Sequence, residues 1–345
     1  MGKQLRLANR SRFLKRWRFP TWLVAIAVIF SFSILSSCTG TSTTAADRPD
    51  VIRLDYAYYN PVSLVLREKG WLEEELANDQ VNVEWTLSQG SNKALELLNS
   101  RSLDFGSTAG AASLIGKANG NPIKAVYVYS RPEWAALVTT ANSDIRSVAD
   151  LKGKRVAATR GTDPFIFLLR ALDQNGLSEQ DIELVPLQHA DGKTALETGD
   201  VDAWAGLDPI MATTELESGS RLFFREPNFN SFGVLNVREA FAEQYPDYVE
   251  RVLEVYERGR QWAVDNPDEL RQILVEESNL TEAVAAKQLE RTDLSQYVIG
   301  ADQKQVIVAA GDVLKKSDVI PQSIDVQAVV DDLIDSQYIE QVARQ

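Results

Sequence analysis

Cysteine and histidine are almost absent from this sequence of 345 residues. The one cysteine, Cys38, excludes an intrachain disulfide, a CxxC redox pair and a zinc site built from cysteines. The one histidine, His189, excludes the HExxH motif and the multi-histidine arrangements that bind metals. We therefore expect no metal site, and nothing in the sequence predicts a cofactor.

Motifs that mark common enzymes and nucleotide-binding proteins are also missing. The sequence contains no GxxxxGK[ST] phosphate loop, no GxGxxG fingerprint and no GxSxG nucleophile elbow. His189 has no evident nucleophile to activate. Asp200 and Asp202 are interpreted as turn and surface residues rather than as a glycosidase pair. We predict that the protein is not an enzyme.

Basic residues are scarce outside the N-terminus. The first 37 residues hold seven basic side chains and no acidic ones, which leaves 29 basic and 49 acidic residues in the remainder. Nucleic acids and anionic membrane surfaces both require a positively charged surface, so we exclude them as partners. A small anion is not excluded, because local dipoles and hydroxyl groups can bind it.

The N-terminal segment has the pattern of an export signal. A basic region precedes an apolar run at residues 22–35, and Ser36, Ser37 and Cys38 follow. The run is short for a membrane span and is typical of a signal peptide. The ending LSSC resembles the lipobox of bacterial lipoproteins, which would make residues 1–37 a lipoprotein signal peptide and Cys38 the lipidated first residue. The alternatives are a signal anchor or a cysteine that is lost with the signal.

Residues 38–50 are small and polar, and we interpret them as a flexible tether. Strand and helix patterns alternate after this tether, which predicts an α/β fold. Residues 93–106 and 193–206 share one pattern, a helix followed by a turn and a strand, and this weak repeat suggests two α/β lobes. The pattern after Arg238 is helical.

The loops that follow the predicted strands are the candidate binding site, because ligands of open α/β sheets bind outside the carboxyl ends of the strands. Loops 58–61, 88–92, 106–110, 160–164, 188–192 and 204–209 should therefore face one cleft. Tyr59, Asn60 and Gln89 lie in the first two and are predicted to contact the ligand. Loop 160–164 is central to this prediction, because the helix that begins there presents free N–H groups and a partial positive charge.

Three segments resemble substrate-binding proteins of ABC importers for aliphatic sulfonates, taurine and nitrate: residues 101–120, 147–177 and 198–212. The resemblance implies a type II periplasmic-binding-protein fold with a ligand cleft between two lobes, residues 51–140 plus 235–345 and residues 141–234. It also implies a monomer on the outer side of the bacterial cytoplasmic membrane, attached only by a lipid anchor. Such a protein delivers a small sulfonate-type ligand to an ABC transporter permease.

The resemblance also assigns ligand contacts. The matching positions are Ser107 and Thr108 in a turn that holds the anionic head, Gly161 and Thr162 in the loop that closes on it, and Trp204 and Asp208 in the wall of the cleft. Asp163 departs from the family, which often has serine there. It could cap its own helix and leave Thr162 to the anion, or it could point inward and pair with an amine on the ligand.

The identity of the ligand remains open among sulfonates, taurine, nitrate and a thiamine-pyrimidine precursor. Trp204 is placed at the cleft wall, with a core position as the alternative. Two other classes of function also stay open. One is an enzyme on the same fold that uses His189, and the other is a sensor that presents its ligand to a receptor.

Overall fold

Two β-sheets organise the computed structural model, which describes residues 48–344. The predicted signal peptide, Cys38 and most of the tether lie outside these residues. The strands are β1 (Val51–Tyr56), β2 (Asn82–Leu87), β3 (Phe105–Ala109), β4 (Ile123–Pro132), β5 (Ala135–Thr139), β6 (Arg155–Ala158), β7 (Glu183–Pro186), β8 (Ala203–Leu207), β9 (Arg221–Phe224), β10 (Gly233–Arg238) and β11 (Thr292–Asp293).

The first sheet has the order β11-β4-β10-β3-β1-β2, and the second has the order β7-β6-β8-β5-β9. Each contains three neighbouring parallel strands, β2-β1-β3 in the first sheet and β7-β6-β8 in the second. An antiparallel strand follows in each sheet, β10 beside β3 and β5 beside β8. The two segments of the weak repeat end in β3 and β8, which occupy equivalent places in the two sheets.

The chain passes between the sheets twice, through residues 133–134 and residues 225–232, which we call the crossing segments. Strand β5 pairs with β8 and β9 of the second sheet, although the sequence analysis grouped residues 135–139 with the first lobe. Only two residues separate it from β4, so sheet membership changes well before residue 140. The lobe boundaries themselves stay a prediction.

Helices cover the sheets and form most of the chain after β10. They are α1 (Pro61–Lys69), α2 (Trp71–Leu76), α3 (Ser91–Asn99), α4 (Gly110–Ala118), α5 (Asp163–Gln174), α6 (His189–Thr198), α7 (Ile210–Glu217), α8 (Glu239–Gln244), α9 (Pro246–Asp265), α10 (Pro267–Ser278), α11 (Glu282–Glu290), α12 (Ala301–Lys316), α13 (Val326–Leu333) and α14 (Gln337–Val342).

Local sequence explains where several helices begin. Pro61, Pro246 and Pro267 occupy first helical positions, where the missing N–H costs no hydrogen bond. The side chain of Asn60 accepts from the N–H of Ser63 and caps α1. Within residues 48–344, no helix combines the length and the apolar character that crossing a membrane would require.

Candidate functional site

A cavity of about 450 Å³ lies between the two sheets, where the segments that follow their strands face each other. We call the segment that follows a strand the outlet of that strand. The walls of the cavity come from the outlets of β1, β2, β7 and β8 and from the link between α10 and α11. Four of the six predicted loops contribute to it, namely 58–61, 88–92, 188–192 and 204–209. It is lined by Tyr58, Tyr59, Leu87, Ser88, Gln89, Gln188, His189, Ala190, Asp191, Leu207, Asp208, Pro209, Ile210, Ser278 and Leu280.

The hydroxyl of Tyr59 belongs to a buried hydrogen-bond network that includes Asp55, Asn60 and Ser107. The Tyr59 hydroxyl donates to the carbonyl oxygen of Ser107 over 2.9 Å, and Nδ2 of Asn60 donates to Oγ of Ser107 over 2.8 Å. Both N–H and Oγ of Ser107 donate to one oxygen of Asp55, each over 2.8 Å. Burial raises the pKa of Asp55 to about 6, and hydrogen bonds from Ser88 and Ser107 oppose that rise.

Ser107 and Thr108 are committed to this interior and do not line the cavity. Thr108 Oγ1 accepts from Nδ2 of Asn236 over 2.7 Å and lies 2.5 Å from Oγ of Ser113. Both residues were predicted to lie in a turn, and this prediction was wrong because β3 continues through Ala109. Because successive residues of a strand point to opposite faces, the two hydroxyls are buried on opposite sides of the first sheet.

The loop between β6 and α5 is also closed off from the cavity. Oγ1 of Thr162 donates to the carbonyl oxygen of Thr159 over 2.6 Å, and Gly161 has the left-handed φ of 78° that the turn requires. Gly161 and Thr162 therefore do not reach the 450 Å³ cavity. Thr162 contributes only to a neighbouring hollow of about 10 Å³, barely enough for one water molecule.

Asp163 adopts neither of the arrangements predicted for it. One oxygen accepts from Nε1 of Trp134 over 2.8 Å and from the N–H of Ser231 over 2.9 Å, and the other accepts from Oγ of Ser231 over 2.7 Å. Thr162, not Asp163, occupies the N-cap position of α5. Burial raises the pKa of Asp163, and the hydrogen bonds from Ser231 and Trp134 oppose that rise. The carboxyl group therefore joins the start of α5 to both crossing segments.

Trp204 lies in a hydrophobic core and not at the cleft wall, so its predicted position was wrong. The side chain is fully buried among Ala157, Leu196 and other residues between the second sheet and α6. Gly192 of α6 makes room for the indole, since a Cβ there would lie 2.7 Å from Nε1 of Trp204. The alternation of β8 directs Trp204 toward α6, and the chain reaches the cavity only at Leu207.

Asp208 does line the cavity, where it is held by a buried ion pair. Nη1 of Arg291 lies 3.3 Å from both carboxylate oxygens, and the N–H of Ala212 donates to one of them over 2.9 Å. Arg291 also pairs with Glu215. Burial raises the pKa of Asp208, and the guanidinium of Arg291 opposes that rise. The pair joins the end of α11 to the outlet of β8.

His189 is the first residue of α6, and its ring lines the cavity. Nδ1 lies 3.2 Å from Oγ1 of Thr159, whereas Nε2 has no hydrogen-bond partner among the residues that the structure describes. Burial lowers the pKa of His189 to about 3, so the ring is neutral near pH 7.

More than half of the chain, residues 62–270, matches the family described as NMT1/THI5 like. The chain belongs to this family. A Bacillus subtilis (strain 168) protein named as an aliphatic sulfonates-binding protein is 28% identical over 324 residues, which cover 92% of this chain and 96% of that one. A protein of the same name from Escherichia coli (strain K12) is 26% identical over 296 residues, covering 85% and 92%.

A solved structure of the alkanesulfonate-binding protein from Xanthomonas axonopodis pv. citri, bound to MOPS, is similar to this NMT1/THI5-like chain with a TM-score of 0.75. The two are 24% identical, and the match covers 84% of this chain and 99% of the other. This likeness confirms the predicted α/β periplasmic-binding-protein fold.

The cavity of this NMT1/THI5-like protein is lined by neutral and acidic groups. Among the described residues, no lysine or arginine contributes to its lining. The N–H groups of residues 189–191 precede the first hydrogen bond within α6, which runs from Gly192 to Gln188. Together with the hydroxyl of Tyr58, these N–H groups are donors available to an anion. Within the described residues, no group of three potential metal ligands is found.

Sequence reasoning missed part of the lining of this NMT1/THI5-like cavity. Residues 188–191 belong to a segment that was predicted to be a loop facing the cleft, whereas the structure places residues 189–191 in the first turn of α6. None of them was singled out as a ligand contact. Ser278 and Leu280 come from the helical C-terminal part, where no local pattern indicates a binding role. Gln89, by contrast, was predicted and does line the cavity. Contact of any of these residues with a ligand stays a prediction.

Proposed function

We propose that this protein is an extracytoplasmic solute-binding protein of an ABC importer and that it binds a small sulfonate-type anion. The observation that carries the proposal is the cavity of about 450 Å³ at the outlets of four strands, in a chain similar over most of its length to proteins named as sulfonate-binding. Its volume lies within the range of small-molecule sites.

The chemistry of the lining supports a ligand with an anionic head and a short organic body. The head group lies at the start of α6, where N–H groups and the helix dipole favour negative charge. Leu87, Ile210 and Leu280 supply apolar contact for the body. No covalent step is required, so we expect an affinity in the ~µM range.

An enzymatic role for His189 is not favoured. A general base is most effective when its pKa lies near the working pH, whereas burial lowers the pKa of His189 to about 3. The ring is suited to hydrogen bonding and not to proton abstraction near neutral pH.

The proposal includes movement of two lobes about the crossing segments. Sheet membership changes at these two segments, which makes them the natural hinges between a lobe around the first sheet and a lobe around the second. This proposal is supported by the ion pair between Arg291 and Asp208 and by the approach of Gly90 to His189, where a Cβ would lie 3.1 Å from Nε2, because both link the two sides of the cleft.

Titration calorimetry on the full chain tests the proposed ligand. We expect a short alkanesulfonate to bind and nitrate to bind much more weakly, because nitrate cannot fill the cavity. Taurine and a thiamine-pyrimidine precursor complete the panel. The variant Ile210→Trp should abolish binding by filling the cavity, whereas Leu216→Trp, at an exposed position of the same helix, should not. Absence of sulfonate binding would overturn the proposal.

We also propose that Cys38 carries a lipid anchor, because LSSC ends a basic and then apolar leader. The variant Cys38→Ser should not incorporate labelled fatty acid and should remain unprocessed. Incorporation of the label into this variant would refute the anchor without affecting the proposed ligand.

A further inference from the structure

The hydrogen-bond chain at His189 determines which ring nitrogen carries the proton. Oγ1 of Thr159 donates its single hydrogen to the carbonyl oxygen of Leu187 over 2.7 Å. The same oxygen lies 3.2 Å from Nδ1 of His189, so in that contact the hydroxyl can only accept. Nδ1 therefore carries the hydrogen of the neutral ring, and Nε2 presents a bare lone pair.

This lone pair is buried and unsatisfied within residues 48–344. His189 is only 2% exposed, and Nε2 has no hydrogen-bond partner. Gly90, on the opposite side of the cleft, faces this nitrogen without a side chain, since a Cβ at Gly90 would lie 3.1 Å from it. Oε1 of Gln188, the preceding cavity residue, is a second unpartnered acceptor.

These two unpartnered acceptors, which belong to residues of the cavity lining, constrain the ligand. Water can satisfy Nε2 when the cleft opens, but a ligand enclosed by the closed cleft must donate a hydrogen to Nε2 or leave a buried acceptor unpaired. A plain alkanesulfonate has no hydrogen to donate there.

We infer that the preferred ligand carries a hydroxyl or amino donor beside its anionic head, and that His189 selects this donor through Nε2. The inference rests on the proposed binding of a small organic anion and adds a second chemical requirement to it. His189 is the specificity-determining residue, and Thr159 is a positioning residue that fixes its tautomer.

Nitrogen NMR of the full chain, labelled at histidine and free of a histidine tag, tests the tautomer directly, because the chain has one histidine. We expect a protonated Nδ1 and an unprotonated Nε2 near pH 7, with the Nε2 resonance moving when ligand binds. The variant Thr159→Val should give a mixture of tautomers. A protonated Nε2 in the unmodified chain would overturn the inference.

Matched ligands test the selection. Calorimetry should show that 2-hydroxyethanesulfonate binds at least about tenfold more tightly than ethanesulfonate. His189→Phe should reduce the ratio of the two affinities to about one, and a circular-dichroism spectrum matching that of the unmodified chain shows that the variant is folded. Thr159→Val, which keeps the ring, should reduce the preference. Equal binding of the pair by the unmodified chain, or an unchanged preference in His189→Phe, would overturn the inference.

The carboxylates hydroxypropionate and propionate form a second matched pair. They distinguish a failure of this inference from a failure of the proposed function. If hydroxypropionate binds more tightly than propionate while neither sulfonate binds, the sulfonate proposal fails and the selection by His189 stands. If both sulfonates bind equally, the proposed function stands and the selection fails. If no member of either series binds, both are overturned.

Discussion

The outlets of β6 and β7 are built alike and behave differently. The two strands are parallel neighbours in the second sheet, and each is followed by a loop and a helix whose first turn contains aspartate, Asp163 in α5 and Asp191 in α6. The outlet of β6 is closed by hydrogen bonds from Trp134 and Ser231. The outlet of β7 opens onto the cavity with Nε2 of His189 unpartnered within the described residues.

The difference originates outside both loops. The crossing segments supply three hydrogen-bond donors to Asp163. These donors use the carboxylate to connect α5 with both crossing segments, so the start of α5 is not free to bind an anion. We call this cluster the joint at Asp163. Asp191, by contrast, is exposed. The start of a helix can therefore bind an anion only where no other part of the chain uses its polar groups.

The largest expected effect comes from opening the closed outlet. Asp163→Ala leaves the buried donors of Trp134 and Ser231 unpaired, which should lower the free energy of unfolding by about 3–5 kcal/mol. Chemical denaturation measures this loss. The matched variant Asp191→Ala removes an exposed carboxylate from the first turn of the neighbouring helix and should change stability by no more than about 1 kcal/mol. Equal effects of the two substitutions would contradict the contrast between the outlets.

The second-largest expected effect is a pH-dependent loss of stability that is caused by His189 at the outlet of β7. The pKa of His189 is lowered to about 3 in the native chain, so below pH 6.5 the unfolded chain binds a proton that the native chain does not. The contribution of His189 to stability is present in full above pH 6.5 and is lost as pH falls toward 3. The pKa of Asp55 is raised to about 6, so its contribution to stability is present at low pH and is lost as pH rises through 6.

Comparison with His189→Phe isolates the histidine contribution, because Asp55 is present in both proteins. The stability of the unmodified chain relative to this variant should fall by about 3 kcal/mol between pH 7 and pH 4. Urea denaturation at several pH values provides the measurement. Parallel pH profiles of the two proteins would show that the native ring protonates freely.

The smallest effect comes from covering the open outlet. A methyl group in Gly90→Ala would lie 3.1 Å from Nε2 of His189 and 3.0 Å from Oδ1 of Asn92. Ligand affinity should fall by about tenfold, or ~1.4 kcal/mol, with little change in melting temperature. Gly300→Ala is the control, because a Cβ there meets no atom within 4 Å. Calorimetry that shows the same affinity for both variants would place the ligand away from Gly90.

Periodicity and the order of elements were enough to predict the α/β fold, the helical C-terminal part and the four loops that reach the cavity. They were not enough to predict the contacts of Asp163, because its partners lie 29 and 68 residues away along the chain. The strand β9 was missed because its pairing with β5, which is distant along the chain, is not visible in the local sequence. Trp204 was misplaced because the face of a strand that turns toward a helix depends on tertiary packing.

The joint at Asp163 also affects the connectivity of the chain. Trp134 and Ser231, one from each crossing segment, bind the same carboxyl group, and the N–H of Ala135 donates to Oδ1 of Asn230 over 2.8 Å. The chain thus leaves the first sheet and returns to it at adjacent points. For the first sheet, residues 135–224 are an insertion whose ends are already held together, and the entropy of loop closure rises only slowly with the length of such an insertion.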